Sequence, residues 1–284
     1  MQLSLFKRRP TNKYADLERF VDEYEVPSFP GAINDILGKI RHEDSSNADI
    51  AQDLESDPGM SVRILRLVNS AGFGLRHRVE DVSQAVQLVG RSSLESILIS
   101  LAMKETLPNK ARPGFDPIAF WRTSAQRAAI AGRMAARLSP PDRSLCWTAA
   151  MLQDIAIPLL VDHLGDRYCE ILTARSEGND ELDILERAEI GFDHADLGRR
   201  ICEVWELPER LTKEIAEHHA PPTLETAPFR LVSLIRMGER DGGSEPEGLS
   251  EMIDAATKIG LDPETSSAQI QDGLRDAAET NGML

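Results

Sequence analysis

The chain has 284 residues, 41% of them hydrophobic, which is enough for one large core or two modest ones. Its formal net charge is −15 at pH 7, with the acidic residues spread along the chain. That field disfavours a broad nucleic-acid footprint, which needs a basic stripe; the KRR run at 7–9 is a local exception.

Cys146, Cys169 and Cys202 are odd in number and lack CxxC spacing, so they read as reduced core thiols in a cytosolic protein. The first ten residues, MQLSLFKRRP, place charge after a very short apolar stretch, the reverse of a signal peptide. No apolar run reads as approaching the ~20 residues of a membrane span. The expectation is a soluble, cytoplasmic protein with no membrane association.

Helical periodicity dominates, and alternating strand patterns are nearly absent. In SDPGMSVRILRLVNS, Asp57 is placed as an N-cap and Pro58 at the first helical position, with Ile64, Leu65 and Val68 on one side. Asn69 and Ser70 read as the end of that helix, with Gly72 allowing a turn and Phe73 packing back. RHR at 76–78, containing His77, reads as a solvated loop rather than an anion spot. Residues 85–103 and 127–138 carry apolar residues at three- and four-residue spacing. Between them TLPNKARPGFDP (106–117) concentrates Pro, Gly and charge, marking a boundary between an N-terminal and a central lobe.

The stretch 147–161, WTAAMLQDIAIPLLV, places Asp154 inside an apolar helix, where a carboxylate is costly unless paired. His163, near the end of the same helix, favours the negative end of the helix dipole. From Asp193 a helix carries Leu197, Ile201, Val204 and Trp205 as its apolar stripe, and His194 falls on that stripe. The next helix starts at Pro208; Leu211, Ile215, His218 and His219 follow its apolar spacing, so at least one of the two histidines is expected inside. A second boundary comes at 239–248, ERDGGSEPEG, followed by two short amphipathic helices with Asp262-Pro263 between them. The chain therefore divides into 1–110, 111–239 and 240–284.

Several collinear blocks carry a resemblance: PSFPGAINDIL (27–37), IAQDLESDPGMSVRILRLVNSAGFG (50–74), VEDVSQAVQLVGRSSLESILIS (79–100), FWRTS (120–124), AAMLQDIAIPLL (149–160), DHADLGRRICEVWELP (193–208) and EHH (217–219). With them the chain resembles the HDOD domain, a non-catalytic relative of the HD metal-dependent phosphohydrolases. The resemblance implies an all-α, HD-domain-like helical bundle with an N-terminal helical lobe.

By the same resemblance, HD hydrolases hold metal with a helix histidine, a His-Asp pair and a late aspartate, sometimes with further histidines. Here the first position is Thr123, the pair reads Gln153-Asp154, and the late aspartate falls near Arg236. His194, His218 and His219 match the further histidines. Thr and Gln offer weak neutral oxygens where transition metals want imidazole. A fixed guanidinium such as Arg236 would pair with Asp154 and repel a cation.

The expectation is thus a remnant pocket with no catalytic residue, metal or cofactor. The implied function is a non-enzymatic regulatory module of bacterial signal transduction, contacting a separate protein of a two-component or cyclic-di-GMP pathway. Two alternatives stand beside it: a metal-dependent phosphohydrolase using Asp154, His194, His218 and His219, and a sensor of a small anionic nucleotide beside Arg236. The sequence leaves the oligomeric state open.

Overall fold

The computed structural model describes residues 13–42, 44–69, 77–178, 180–236 and 246–280. The KRR run, Ser70, Gly72, Phe73 and most of the 239–248 boundary lie outside them. The described residues are helical, with no named strand; one isolated bridge, Arg112 to Phe115, sits in the 106–117 connection.

The N-terminal part comprises α1 (Lys13–Glu23), α2 (Gly31–Arg41), α3 (Asn47–Glu55), α4 (Pro58–Val68) and α5 (Val82–Thr106). Asp57 caps α4 as expected, its carboxylate accepting from the N–H groups of Gly59 and Met60. Asn69 ends α4 and reaches further, its amide exchanging two hydrogen bonds with the backbone of Val79. Arg63 is ion-paired with Glu105. α5 is kinked at Gly90, whose φ of 76° and ψ of 166° lie where essentially only glycine is stable. Arg91 beside it binds Asn47, the His42 carbonyl and the Ser45 carbonyl, fixing the α2–α3 loop.

The central part comprises α6 (Pro117–Leu138), α7 (Arg143–Leu152), α8 (Ala156–Leu164), α9 (Asp166–Glu177), α10 (Leu182–Glu189), α11 (His194–Val204), α12 (Glu209–Ala216) and α13 (Ala227–Arg230). α14 (Leu249–Lys258) and α15 (Pro263–Thr280) complete the chain, α15 lying along α6. One hydrophobic core runs through all these parts, from Leu17 to Ile270. Trp205, at the end of α11, links the central part to the N-terminal part, stacking on Phe29 and donating to the Pro27 carbonyl at 2.7 Å. All three cysteines are buried and free. Burial pushes the Cys146 and Cys202 thiols up, Cys202 to about 12, so both stay protonated.

Three expectations need correction. Gln153 and Asp154 lie in the turn joining α7 and α8 rather than within a helix. Pro158 has no N–H to reach the Asp154 carbonyl, which accepts from Ile157 instead. His218 and His219 follow α12 rather than riding on it, because that helix stops at Ala216. Finally, residues 140–164 are long and apolar enough to cross a membrane by length and composition, contrary to the sequence reading; they are broken at the α7–α8 turn, and their most apolar 18-residue stretch is 89% buried in the fold.

Candidate functional site

Asp154 is the centre of a buried polar cluster formed where α6, the α7–α8 turn, α11 and the turn after α12 meet. α6 brings Thr123 and, one turn on, Arg127, both buried. The Arg127 guanidinium donates through Nη1 to Asp154 Oδ2, and through Nε and Nη2 to the Ile235 carbonyl at 2.8 and 2.5 Å. Asp154 Oδ1 lies 3.6 Å from His194 Nε2 and 3.5 Å from His218 Nε2. Burial alone would raise the Asp154 carboxyl, but Arg127 and the two imidazoles outweigh it and hold the group well below the usual carboxylate range.

His194 opens α11, just after Asp193, which caps the helix in a reciprocal box with Asp196. Its Nδ1 faces Glu186 Oε2 at 2.6 Å, and the same oxygen accepts its backbone N–H at 2.9 Å. Glu186 is fully buried, and its other oxygen accepts the hydroxyl of the fully buried Tyr168. Burial disfavours an imidazolium at His194; the carboxylates of Glu186, Asp154 and Asp193 overcome that and raise it to about 9.

His218 is fixed from behind, its Nδ1 2.7 Å from the Ile215 carbonyl. Its Nε2 lies 3.3 Å from His194 Nε2, and His219 Nε2 lies 2.8 Å from the same atom. His219 shows part of its ring to solvent but turns Nε2 inward. Burial and the neighbouring imidazoles push His218 far down, and burial with the His194 charge lowers His219 to about 4. Without a metal, the cluster therefore carries one charged imidazole and two neutral ones. Gln153 is buried with no partner for Oε1 among the described residues.

The structure thus brings together Thr123, Gln153, Asp154, His194, His218 and His219. Arg236 does not join them as expected: its guanidinium binds Glu181 at 2.7 Å and Glu251 at 3.3 Å. The guanidinium on Asp154 is Arg127, which sequence reasoning passed over. Its signal was present, since an arginine four residues after Thr123 on an alanine-rich apolar helix must either snorkel or be paired. Glu186 and Tyr168 were also missed. Glu186 lies four residues after Leu182, but a carboxylate on an otherwise charged helix reads as solvated.

The donor set decides what a metal would meet. Thr123 and Gln153 offer no imidazole, and one Asp154 oxygen is taken by Arg127, so a carboxylate-bridged pair of ions does not fit. The three histidines place ring nitrogens within 4.8 Å of one another and fit a single ion.

Comparison with known proteins places this fold. The chain aligns with a solved "Putative phosphohydrolase" of Shewanella amazonensis at 25% identity and a TM-score of 0.74, over 95% of this chain and 98% of that one. It shares its fold, at 18% identity and a TM-score of 0.73, with an HDOD domain protein of unknown function from Geobacter sulfurreducens, over 96% of this chain and 98% of the other. An uncharacterised protein of Treponema pallidum is 26% identical over 209 residues, 70% of this chain; the match spans only 38% of that relative's length. The HDOD domain family model matches residues 26–221, a stretch that holds Thr123, Arg127, Asp154 and the three histidines together. On that match over most of its length, joined to the all-helical bundle that carries the cluster, the chain belongs to the HDOD domain family.

Proposed function

We propose that this chain is a non-enzymatic regulatory module of cytoplasmic signal transduction, acting through contacts with a separate protein. The observation that carries the reading is the buried Arg127–Asp154 pair. Hydrolysis by a metal centre needs a carboxylate free to hold the ion and an ion free to activate water. Here the carboxylate is engaged by a fixed cation, and the neighbouring ligand positions are filled by Thr123 and Gln153, both buried. In this reading residues 1–110, 111–239 and 240–284 act as one signalling unit, whose partner belongs to a two-component or cyclic-di-GMP pathway.

The rival reading, a phosphohydrolase, draws on the three convergent histidines and on the name of the Shewanella relative. The nucleotide-sensor reading loses its anchor, because acidic side chains already hold Arg236. Capture of the tagged full chain from its host under mild crosslinking tests the partner claim. A protein recovered in comparable amount, and again when the bait roles are exchanged, supports it. A chain recovered alone, yet stabilised by a nucleotide, would favour the sensor instead.

A further inference from the structure

The Arg127 guanidinium is buried on α6 and divides its hydrogen bonds between two partners. Nη1 donates to Asp154 Oδ2, while Nε and Nη2 both donate to the Ile235 carbonyl, at 2.8 and 2.5 Å. Ile235 follows the short turn 232–234 in extended backbone. The next N–H along the chain, that of Arg236, donates to the Glu247 carbonyl at 2.9 Å. Gly248, with φ of 86°, packs so closely that a Cβ there would collide with the Leu234 carbonyl. The Arg236 side chain adds bonds to Glu251 on α14 and to Glu181 just ahead of α10. A continuous run of contacts thus joins the buried Asp154 to the entry of α14, and Arg127 is its first link.

A guanidinium stays charged whatever its surroundings, so it cannot answer the loss of a partner by giving up a proton. The inward position of Arg127 therefore depends on Asp154. With that carboxylate neutralised or drawn elsewhere, a buried unpaired cation is too costly to keep, and the side chain turns toward water. The Ile235 carbonyl then loses both donors that Arg127 supplies. We propose that Arg127 is a latch between the buried cluster and the C-terminal helices: held inward by Asp154 it fixes the entry of α14, and withdrawn from Asp154 it releases that entry. Such coupling is reciprocal, so displacing α14 also loosens Arg127 on Asp154. The latch rests on the regulatory reading for its use, whereas its mechanics belong to the chain alone.

Residue-resolved amide exchange of the full chain reads the latch at two hydrogens: the Arg236 N–H on the Glu247 carbonyl and the Met252 N–H on the Gly248 carbonyl. Arg127→Lys keeps a cation for Asp154 but lacks the fork that also reaches Ile235. Exchange at both hydrogens should rise about tenfold, as the loss of a hydrogen-bonded anchor implies, with α4 unchanged. Asp154→Asn should do the same. Added to Arg127→Met, it should produce no further rise, because its effect passes through Arg127. Unchanged exchange at Arg236 in whichever of the two single variants folds, equal acceleration along α4, or a further rise in the double variant would overturn the latch. Exchange is measured without a partner and partner capture without exchange, so a failed latch and a failed regulatory reading are told apart.

Discussion

Asp154 and Arg127 bury two opposite charges, and such pairs are far costlier to break than to replace. In metal-free protein, Asp154→Ala should lower unfolding free energy by about 3–5 kcal/mol, because Arg127 is left charged and buried. The double variant Asp154→Leu, Arg127→Met should recover more than half of that loss in urea denaturation; an additive double loss would contradict the pairing. His194 adds a pH dependence of known sign. Its folded value, about 9, exceeds its ordinary 6.5, so its stabilisation is complete below about pH 6.5 and disappears as pH rises through 9. The stability gap between metal-free wild type and Glu186→Gln should therefore be widest near pH 6 and narrow by pH 9.5. Much of this site was legible in the sequence: Asp154, His194 and His218 stand on apolar stripes or runs where polar residues need partners. Arg127 and Glu186 were not legible, because Arg and Glu on a helix are usually solvated and only the packing shows otherwise.

At the scale of elements, two glycines set how helices meet. Gly90 kinks α5, and a Cβ there would meet nothing within 4 Å, so Gly90→Ala should cost only backbone strain, about 1–3 kcal/mol. Gly273 of α15 is different: a Cβ would come within 2.7 Å of the Ile130 backbone on α6. Gly273→Ala must push α15 away, disturbing the paired Arg133 and Asp276. Amide exchange should then accelerate along α15 but not along α4, and equal acceleration in both would argue against a local contact. The helices themselves were legible from periodicity, and Asp57, Asp193 and Asp262 marked helix starts. The breaks were harder. The α7–α8 turn falls at Gln153-Asp154 inside an otherwise apolar stretch, where the pair reads as polar residues on one helix and Pro158 is the further hint of a break. The early end of α12 has no strong stop signal before Pro221.

For the whole molecule, one core joins the N-terminal helices, the site and the C-terminal helices. α6 carries Thr123 and Arg127 toward the site and Ile130 and Arg133 toward α15, and the Ile235 carbonyl held by Arg127 leads into the C-terminal helices. The central claim is that the Asp154 cluster performs no hydrolysis. It is tested most directly by phosphomonoester and phosphodiester turnover of the full chain in added Mn2+ and Zn2+, with Asp154→Ala as the comparison. The account predicts the same background rate for both proteins, whether or not an ion is bound. Turnover in the wild type that vanishes in Asp154→Ala, while that variant remains folded, would contradict it.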